Sequence, residues 1–150
     1  MSGFNLEHFL PYLLNQAAEV SSLAFQQVYK DRYGMLRNEW RVLFHLGMYG
    51  QMTAREIAER AQLHKTKISR AVAKLEGRRF LTRARDGADR RVEHLALTPA
   101  GHAAFEDLRR VAERYDQALV ADLTPEEAVH LRTLLARLAQ RPLSDTLRGK

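Results

Sequence analysis

A single change of hydrophobic period, near residue 79, limits the folds open to this 150-residue chain. Before it, apolar residues recur at helical spacing in two short segments, 53–61 and 64–77. After it, residues 80–85 and 92–97 read as strands, joined through the turn signal Asp86-Gly-Ala-Asp89. The sequence therefore predicts a mainly α chain that contains one small β-hairpin, an α+β fold with helices on both sides of the hairpin.

Longer helical patterns flank this central segment. One runs over residues 4–31, where Pro11 either starts the regular helix or kinks it, and another over 37–48. Thr98-Pro99 and Thr124-Pro125 each combine an N-cap hydroxyl with proline at the first helical position, which predicts two further helices. The first and last helices carry apolar stripes that the short central segment cannot cover. We expect them to pair across a two-fold axis; the alternative is a monomer in which they pack on each other.

The basic charge is concentrated in one window. Residues 64–91 hold ten of the 24 Lys and Arg residues and three of the 18 Asp and Glu residues, a net charge of +7. The remaining 14 cations and 15 acids give −1, although the whole chain carries +6. A patch this focused favours a polyanionic partner, usually nucleic acid, over an ordinary solvated face.

The window coincides with the second short helix and the hairpin, which together form a helix-turn-helix pattern followed by a wing. One face of that helix would pack inward, and the opposite face would present hydroxyls and cations to a DNA major groove. These residues are Lys65, Thr66, Lys67, Ser69, Arg70 and Lys74. Arginines of the wing would enter a minor groove. Phe80 is the only aromatic residue in the window, so duplex DNA is favoured over a base-stacking RNA platform.

Several other classes are disfavoured. The chain has no cysteine, which excludes a disulfide scaffold, a thiol nucleophile and a Cys-based zinc site. None of its six histidines has the i, i+4 spacing of a helical metal site, and no phosphate loop or nucleophile elbow is present. We therefore expect no enzyme activity, no metal and no cofactor. Without an apolar run of about 18 residues or a secretory signal, we expect a cytoplasmic protein with no membrane partner.

Several motifs resemble the MarR family of transcriptional regulators. They are Leu63-His-Lys-Thr-Lys-Ile-Ser-Arg70 with Leu75-Glu76, Asp86-Gly-Ala-Asp-Arg-Arg-Val92 and Leu97-Thr-Pro-Ala-Gly101, with Asn38-Glu-Trp-Arg-Val-Leu43 also fitting. The resemblance covers essentially the whole chain. It implies a winged-helix homodimer that binds a pseudo-palindromic operator, usually as a repressor released by a small, often aromatic, anion. Residues 1–36 and 100–150 would form the dimerisation region, and 37–99 the winged helix-turn-helix.

The resemblance also assigns roles on the DNA side. It implies that Ser69 and Arg70 contact DNA, that Asp89 braces the wing through an ion pair, and that either Arg90 or Arg91 enters the minor groove. Arg85 completes the predicted wing surface, and His64 is a candidate phosphate contact.

The chain departs from the family at one position, because Arg79 stands where the family has glycine. Either the second short helix (64–77), which the resemblance makes the recognition helix, stops earlier, at Gly77, or Arg79 adopts a strained backbone conformation.

An effector site is expected near the first two helices, at Tyr12, Gln16, Trp40, Arg41 and Phe44. An aromatic slot with one arginine suits an aromatic carboxylate. The alternative is that Trp40 and Phe44 are core residues and that Arg41 is a surface or salt-bridging residue. The corresponding alternative function is a non-specific basic, architectural DNA-binding protein without an effector response.

Overall fold

A computed structural model describes residues 3–89 and 91–140. It contains two compact units, Met1–Ala112 and Glu113–Lys150, which we describe separately. The elements in chain order are a 3-10 helix (Leu6–His8), α1 (Leu10–Tyr33), α2 (Arg37–Tyr49), β1 (Met52–Thr53), α3 (Ala54–Ala61), α4 (Lys65–Gly77), β2 (Leu81–Arg85), β3 (Glu93–Leu97), α5 (Pro99–Leu119) and α6 (Pro125–Ala139). The predicted mainly α fold with a small hairpin wing is confirmed.

Local signals explain where most helices begin and end. Pro11 lies in the first turn of α1, where its missing N–H costs nothing, so it starts the helix rather than kinking it. Gly34 ends α1 with φ +63°, the left-handed conformation that glycine adopts easily. Thr53 and Thr124 form the predicted capping boxes of α3 and α6: each hydroxyl accepts from a backbone N–H three residues on.

The hairpin is part of a three-stranded antiparallel sheet in the order β1-β3-β2. Strands β2 and β3 pair from Leu81 opposite Leu97 to Arg85 opposite Glu93. The sequence did not predict β1, which adds two pairs, Met52 with Leu95 and Thr53 with His94. A strand of two residues is too short to show a hydrophobic period. Its pairing partner, moreover, lies about 40 residues further along the chain.

The core of the first unit joins α2 to the helix-turn-helix and the sheet. Its fully buried side chains include Leu43 and Leu46 from α2, Ile57 from α3, and the α4 residues Ile68, Val72 and Leu75. Gly47 faces the ring of Phe105, and an added Cβ there would overlap the ring, so α2 and α5 are in close contact. The predicted inward face of α4 is confirmed.

Large apolar side chains remain exposed in both units. In the first unit they lie on the 3-10 helix and α1, at Phe4, Leu6, Phe9, Leu10, Leu13, Leu14, Val20 and Leu23. In the second they lie mainly on α6, at Leu119, Leu123, Val129, Leu131, Leu134, Leu135 and Leu138. Soluble monomers rarely expose such extended stripes. Within the described ranges, no helix is both long and apolar enough to cross a membrane.

Candidate nucleic-acid interface

The turn between α3 and α4 sets the recognition helix on the surface. Gln62 takes a left-handed conformation (φ +55°) that ends α3. His64 then caps α4, since its Nδ1 accepts a hydrogen bond from the backbone N–H of Thr66 at 3.1 Å. A ring nitrogen therefore takes the place of the Ser, Asp or Asn oxygen that usually caps a helix. The predicted contact of His64 with a DNA phosphate stays a prediction. The capping of α4 is a second role of this residue, which the sequence did not predict.

The outer face of α4 carries the predicted DNA-binding side chains. All six residues are exposed: Lys65, Thr66, Lys67, Ser69, Arg70 and Lys74. The opposite face is buried through Ile68, Ala71, Val72 and Leu75. Among the described residues, none of the four cations on the outer face makes an ion pair. The positive charge of this face is therefore not neutralised by neighbouring side chains, and the face is available to bind an external anion.

The end of α4 resolves the two alternatives left by the sequence. The helix continues through Gly77, and Arg79 takes the left-handed conformation with φ +63°. The amide of Phe80 then returns to the Leu75 carbonyl at 2.9 Å. A non-glycine residue in this conformation costs about 1–2 kcal/mol, so the departure from the family pattern is a strained arginine and not a shorter helix.

Arg83 connects the recognition helix to the wing. Its Nε lies 3.0 Å from Glu76 at the end of α4, and its Nη1 lies 3.3 Å from Glu93 on β3. The sequence indicates Arg83 only as part of the basic window, because its two partners are 7 and 10 residues away in different elements. Arg85, two pairs further out on β2, is exposed and has no ion pair in the described part of the chain.

Two aspartates organise the wing tip. Asp86 accepts from the backbone N–H of Ala88 at 2.9 Å and lies 3.5 Å from Nε2 of His94. The Ala88 hydrogen bond, followed by the one from His94, lowers the pKa of Asp86. Asp89 accepts from the Arg91 amide at 3.0 Å and pairs with its guanidinium at 3.3 Å. The Arg91 side chain is 92% exposed. Arg90 lies outside the described residues, so its predicted contact stays a prediction.

A second cluster joins α1 and α2 around the predicted effector residues. The Trp40 ring lies 5.3 Å from Phe25, 5.9 Å from Tyr29 and 5.1 Å from Phe44. Phe44 continues the cluster to Phe105 of α5 at 5.1 Å. The indole Nε1 of Trp40 is buried and has no hydrogen-bond partner among the described residues. Buried donors without a partner are rare, and each calls for an explanation.

Two arginines lie on the same side of α2. Arg37 donates to the Ser22 hydroxyl at 3.1 Å. Arg37 and Arg41 both interact with Tyr29, whose pKa is raised by burial and partly lowered again by these two cations. The sequence predicted Arg41 for this site and missed Phe25, Tyr29 and Arg37. The i, i+4 spacing of Phe25 and Tyr29 on α1 is the signal that could have identified those two.

Tyr12 and Gln16, also predicted for the effector site, form a pair of their own. The Gln16 amide donates to the Tyr12 hydroxyl at 2.8 Å, one turn apart on α1. In the described ranges neither side chain shares a hydrogen bond or ring contact with Trp40, Arg41 or Phe44. These same ranges hold no group of three His, Cys, Asp or Glu residues that could bind a metal ion.

Comparisons with known proteins agree with this geometry. A family model described as "MarR family" matches residues 33–92. YxaD of Bacillus subtilis, named as an HTH-type transcriptional regulator, is 30% identical over 73% of this chain and 80% of its own length. MdtR of the same bacterium, an HTH-type transcriptional repressor, is 28% identical over 77% of this chain and 74% of its own. Across the matched curated relatives, the aligned region spans between 63% and 86% of the relative.

A solved structure shows the same fold over nearly the whole chain. Bordetella bronchiseptica BpsR, solved in a study of how 6-hydroxynicotinic acid regulates its DNA binding, superposes with a TM-score of 0.86. The alignment covers 94% of this chain and 100% of that one, at 24% identity.

Proposed function

Because the chain belongs to the MarR family of transcriptional regulators, we propose that it is a homodimeric repressor that binds double-stranded DNA at a pseudo-palindromic operator. The observation that carries the proposal is the exposed outer face of α4, which presents four cations and two hydroxyls beside a basic wing. These cations make no ion pair with any residue that the structure describes. Regulators of this family are not enzymes. The cytoplasmic location expected from the sequence belongs to the proposal as well, because it follows from the DNA partner.

The contacts with DNA divide into two kinds. Lys65, Lys67 and Lys74 neutralise phosphates, which supplies affinity without sequence information. Thr66, Ser69 and Arg70 read or position against base edges in the major groove, which is about 12 Å wide and admits one helix. The wing surface of Arg85, Arg90 and Arg91 approaches the backbone and minor groove, where Asp89 holds Arg91 in place.

Exposed apolar surface supports the homodimer. The 3-10 helix and α1 carry eight exposed large apolar residues in one unit, and α6 with the residues before it carries seven in the other. In the proposed dimer, residues 1–36 and 100–150 cover these stripes and 37–99 form the DNA-binding part. A two-fold pair sets two recognition helices about 34 Å apart, one turn of DNA.

We also propose a small aromatic carboxylate as effector, bound at the Trp40 cluster. The indole N–H of Trp40 has no hydrogen-bond partner among the described residues. With Arg37 and Arg41 on the same helix, it offers one hydrogen-bond donor and two positive charges beside aromatic rings. The regulation of BpsR by 6-hydroxynicotinic acid, an aromatic carboxylate, adds support. Release from DNA requires that the ligand bind the DNA-incompetent form of the dimer more tightly than the competent one.

A non-specific basic, architectural DNA-binding protein is the second candidate, favoured by the concentration of charge in residues 64–91. The two functions differ in the ratio of specific to random affinity.

The test is fluorescence anisotropy with duplexes from the region upstream of the gene, and with duplexes selected from a random pool. It uses random duplex as competitor, two salt concentrations, and aromatic carboxylates including 6-hydroxynicotinic acid. Salt-dependent binding that survives the competitor supports the regulator. Binding to every duplex with equal affinity supports the architectural protein. A carboxylate that releases the specific duplex supports the effector site.

A further inference from the structure

Arg78 stands directly after the recognition helix but points its guanidinium into the protein. Its Nη1 donates a hydrogen bond to the backbone carbonyl oxygen of Tyr33, the last residue of α1. Its Nη2 lies 3.7 Å from Oε1 of Glu39 in the first turn of α2. The Arg78 side chain is only 34% exposed, although it belongs to the most basic window of the chain. One guanidinium at the end of α4 therefore contacts the end of α1 and the start of α2.

Glu39 needs this cation. Its side chain is 2% exposed, and Oε2 accepts from the backbone N–H of Leu36 at 3.2 Å. Oε1 is buried with no hydrogen-bond partner among the described residues. A buried carboxylate without a compensating charge is strongly destabilising. Arg78 supplies that charge from 3.7 Å, as an ion pair without a hydrogen bond.

The corner between α1 and α2 has room for the guanidinium because it contains glycine. A Cβ added at Gly34 would lie 2.9 Å from Nη1 of Arg78, and the positive φ of Gly34 already disfavours other residues. Tyr33 is held from the other side: its hydroxyl donates to Asp107 of α5 at 2.6 Å, and its ring packs against Phe80 at 5.9 Å. The acceptor of the Arg78 hydrogen bond is thus itself fixed in place.

We propose that Arg78 is a positioning residue for DNA recognition, which locks the end of α4 to the α1–α2 corner and so sets the angle at which α4 meets the major groove. It makes no DNA contact itself. The inference rests on the proposed function, since the angle matters only if α4 reads bases. Specific contacts depend on angle because base-edge hydrogen bonds are short and directional, whereas phosphate attraction tolerates a small rotation.

The experiment compares Arg78→Gln with Arg79→Gln. The control removes the same charge from the adjacent residue, which is exposed and makes no side-chain ion pair in the described ranges. Affinity is measured for the selected duplex and for random duplex across a salt series. For Arg78→Gln we expect an affinity loss of about ten-fold for the selected duplex, with random binding and the salt slope unchanged. For Arg79→Gln we expect no change in the ratio of the two affinities.

Glu39→Gln completes a double-mutant cycle. Glutamine still offers an oxygen to the Leu36 amide and removes the buried charge. If Arg78 acts through Glu39, the two substitutions are non-additive, and the double variant retains more stability than Arg78→Gln alone. Should Arg78→Gln fail to fold, the double variant takes its place in the binding assay, with the same expected loss of specific affinity.

Three results would overturn the inference. The first is an Arg78→Gln variant that binds both duplexes more weakly with a salt slope shallower by about 1, which identifies a phosphate contact. The second is a destabilised variant with an unchanged affinity ratio, which identifies a merely structural role. The third is measured in the absence of DNA. If amide hydrogen-exchange rates at residues 33–39 and 74–80 are the same in Arg78→Gln and in the wild type, Arg78 does not hold the end of α4 against the α1–α2 corner. If the wild-type protein shows no sequence preference, the proposed function fails, and hydrogen exchange still decides on the lock.

Discussion

The hydroxyl of Thr98 donates a hydrogen bond to the carbonyl oxygen of Arg79 at 2.6 Å. The same oxygen of Thr98 accepts from the Gly101 amide at 3.0 Å, which caps α5. The Thr98 amide also donates to the Phe80 carbonyl at 3.0 Å. The exit from the recognition helix and the start of α5 are therefore one hydrogen-bonded unit, and this explains why a strained Arg79 keeps its conformation.

Replacing Arg79 with glycine should stabilise the protein. Glycine adopts φ +63° without the steric cost that a Cβ imposes, although it adds entropy to the unfolded chain. Relative to Arg79→Ala, which removes the same side chain, we expect Arg79→Gly to gain about 0.5–1 kcal/mol in the free energy of unfolding. Urea denaturation of both variants measures the difference, and equal stability would show that the backbone is unstrained.

Gly101 should tolerate no side chain. An added Cβ would overlap the backbone carbonyl oxygen of Phe80, which cannot rotate away. We expect Gly101→Ala to lose about 1–3 kcal/mol of stability, the usual cost of forced overpacking. Gly77→Ala is the matched control, because a Cβ there meets nothing within 4 Å, at the end of α4. It should be neutral or gain up to about 1 kcal/mol; thermal denaturation of the pair gives both values.

The pair of Tyr33 and Asp107 should make stability depend on pH at both extremes. Burial, followed by the hydrogen bond to Asp107, raises the pKa of Tyr33 to about 12. Its stabilisation is present below the unfolded pKa of about 10 and is lost as the pH rises towards the folded value. The hydrogen bond from Tyr33, followed by Arg32, lowers the pKa of Asp107. That stabilisation is present above the unfolded pKa of about 3.9 and is lost as the pH falls through the folded pKa.

Tyr33→Phe should therefore reduce the decline in stability between about pH 10 and 12, with the remainder due to Tyr29, whose pKa is also raised. It should also reduce the decline in acid. Arg32→Gln is the control, because it weakens the acid limb but keeps the alkaline limb, since it removes a cation that lowers the pKa of Tyr33. Denaturant midpoints measured from pH 2 to 12 give both limbs. An alkaline limb identical in wild type and Tyr33→Phe would contradict the assignment.

Arg70→Ala should separate base reading from phosphate binding. If Arg70 contacts a base, the variant loses about 1–3 kcal/mol for the selected duplex, with an unchanged salt slope. Lys67→Ala on the same helix should weaken selected and random duplexes alike and make the slope shallower by about 1. Anisotropy titrations at four salt concentrations distinguish the two. Uniform weakening by Arg70→Ala would place Arg70 on the phosphates.

Features that depend on neighbouring residues could be predicted from the sequence. The capping boxes at Thr53 and Thr124, the start of α1 at Pro11 and the buried face of α4 all follow from local spacing. The pairing of Met52 with Leu95 and the ion pair of Arg78 with Glu39 could not. Each joins segments about 40 residues apart, and a single sequence carries no signal for such contacts.

The candidate sites divide in the same way. The outer face of α4 was predictable because one helix presents it. The aromatic cluster around Trp40 could be predicted from the sequence only in part, since Phe25 and Tyr29 reach Trp40 from another helix. Its role as an effector site stays a prediction. Tyr12 and Gln16 were chosen for lying on that helix, but they are about two and a half to five turns away from Phe25 and Tyr29.

Strand β1 limits how the wing can move relative to the helices. Thr53 both pairs with His94 of the wing and caps α3, while Arg83 joins the wing strands to α4. The base of the wing is thus fixed at two points, to α3 through Thr53 and to α4 through Arg83. A signal that changes how such a protein binds DNA would therefore have to move the helix-turn-helix and the wing together, as one rigid body that rotates about a point outside the sheet.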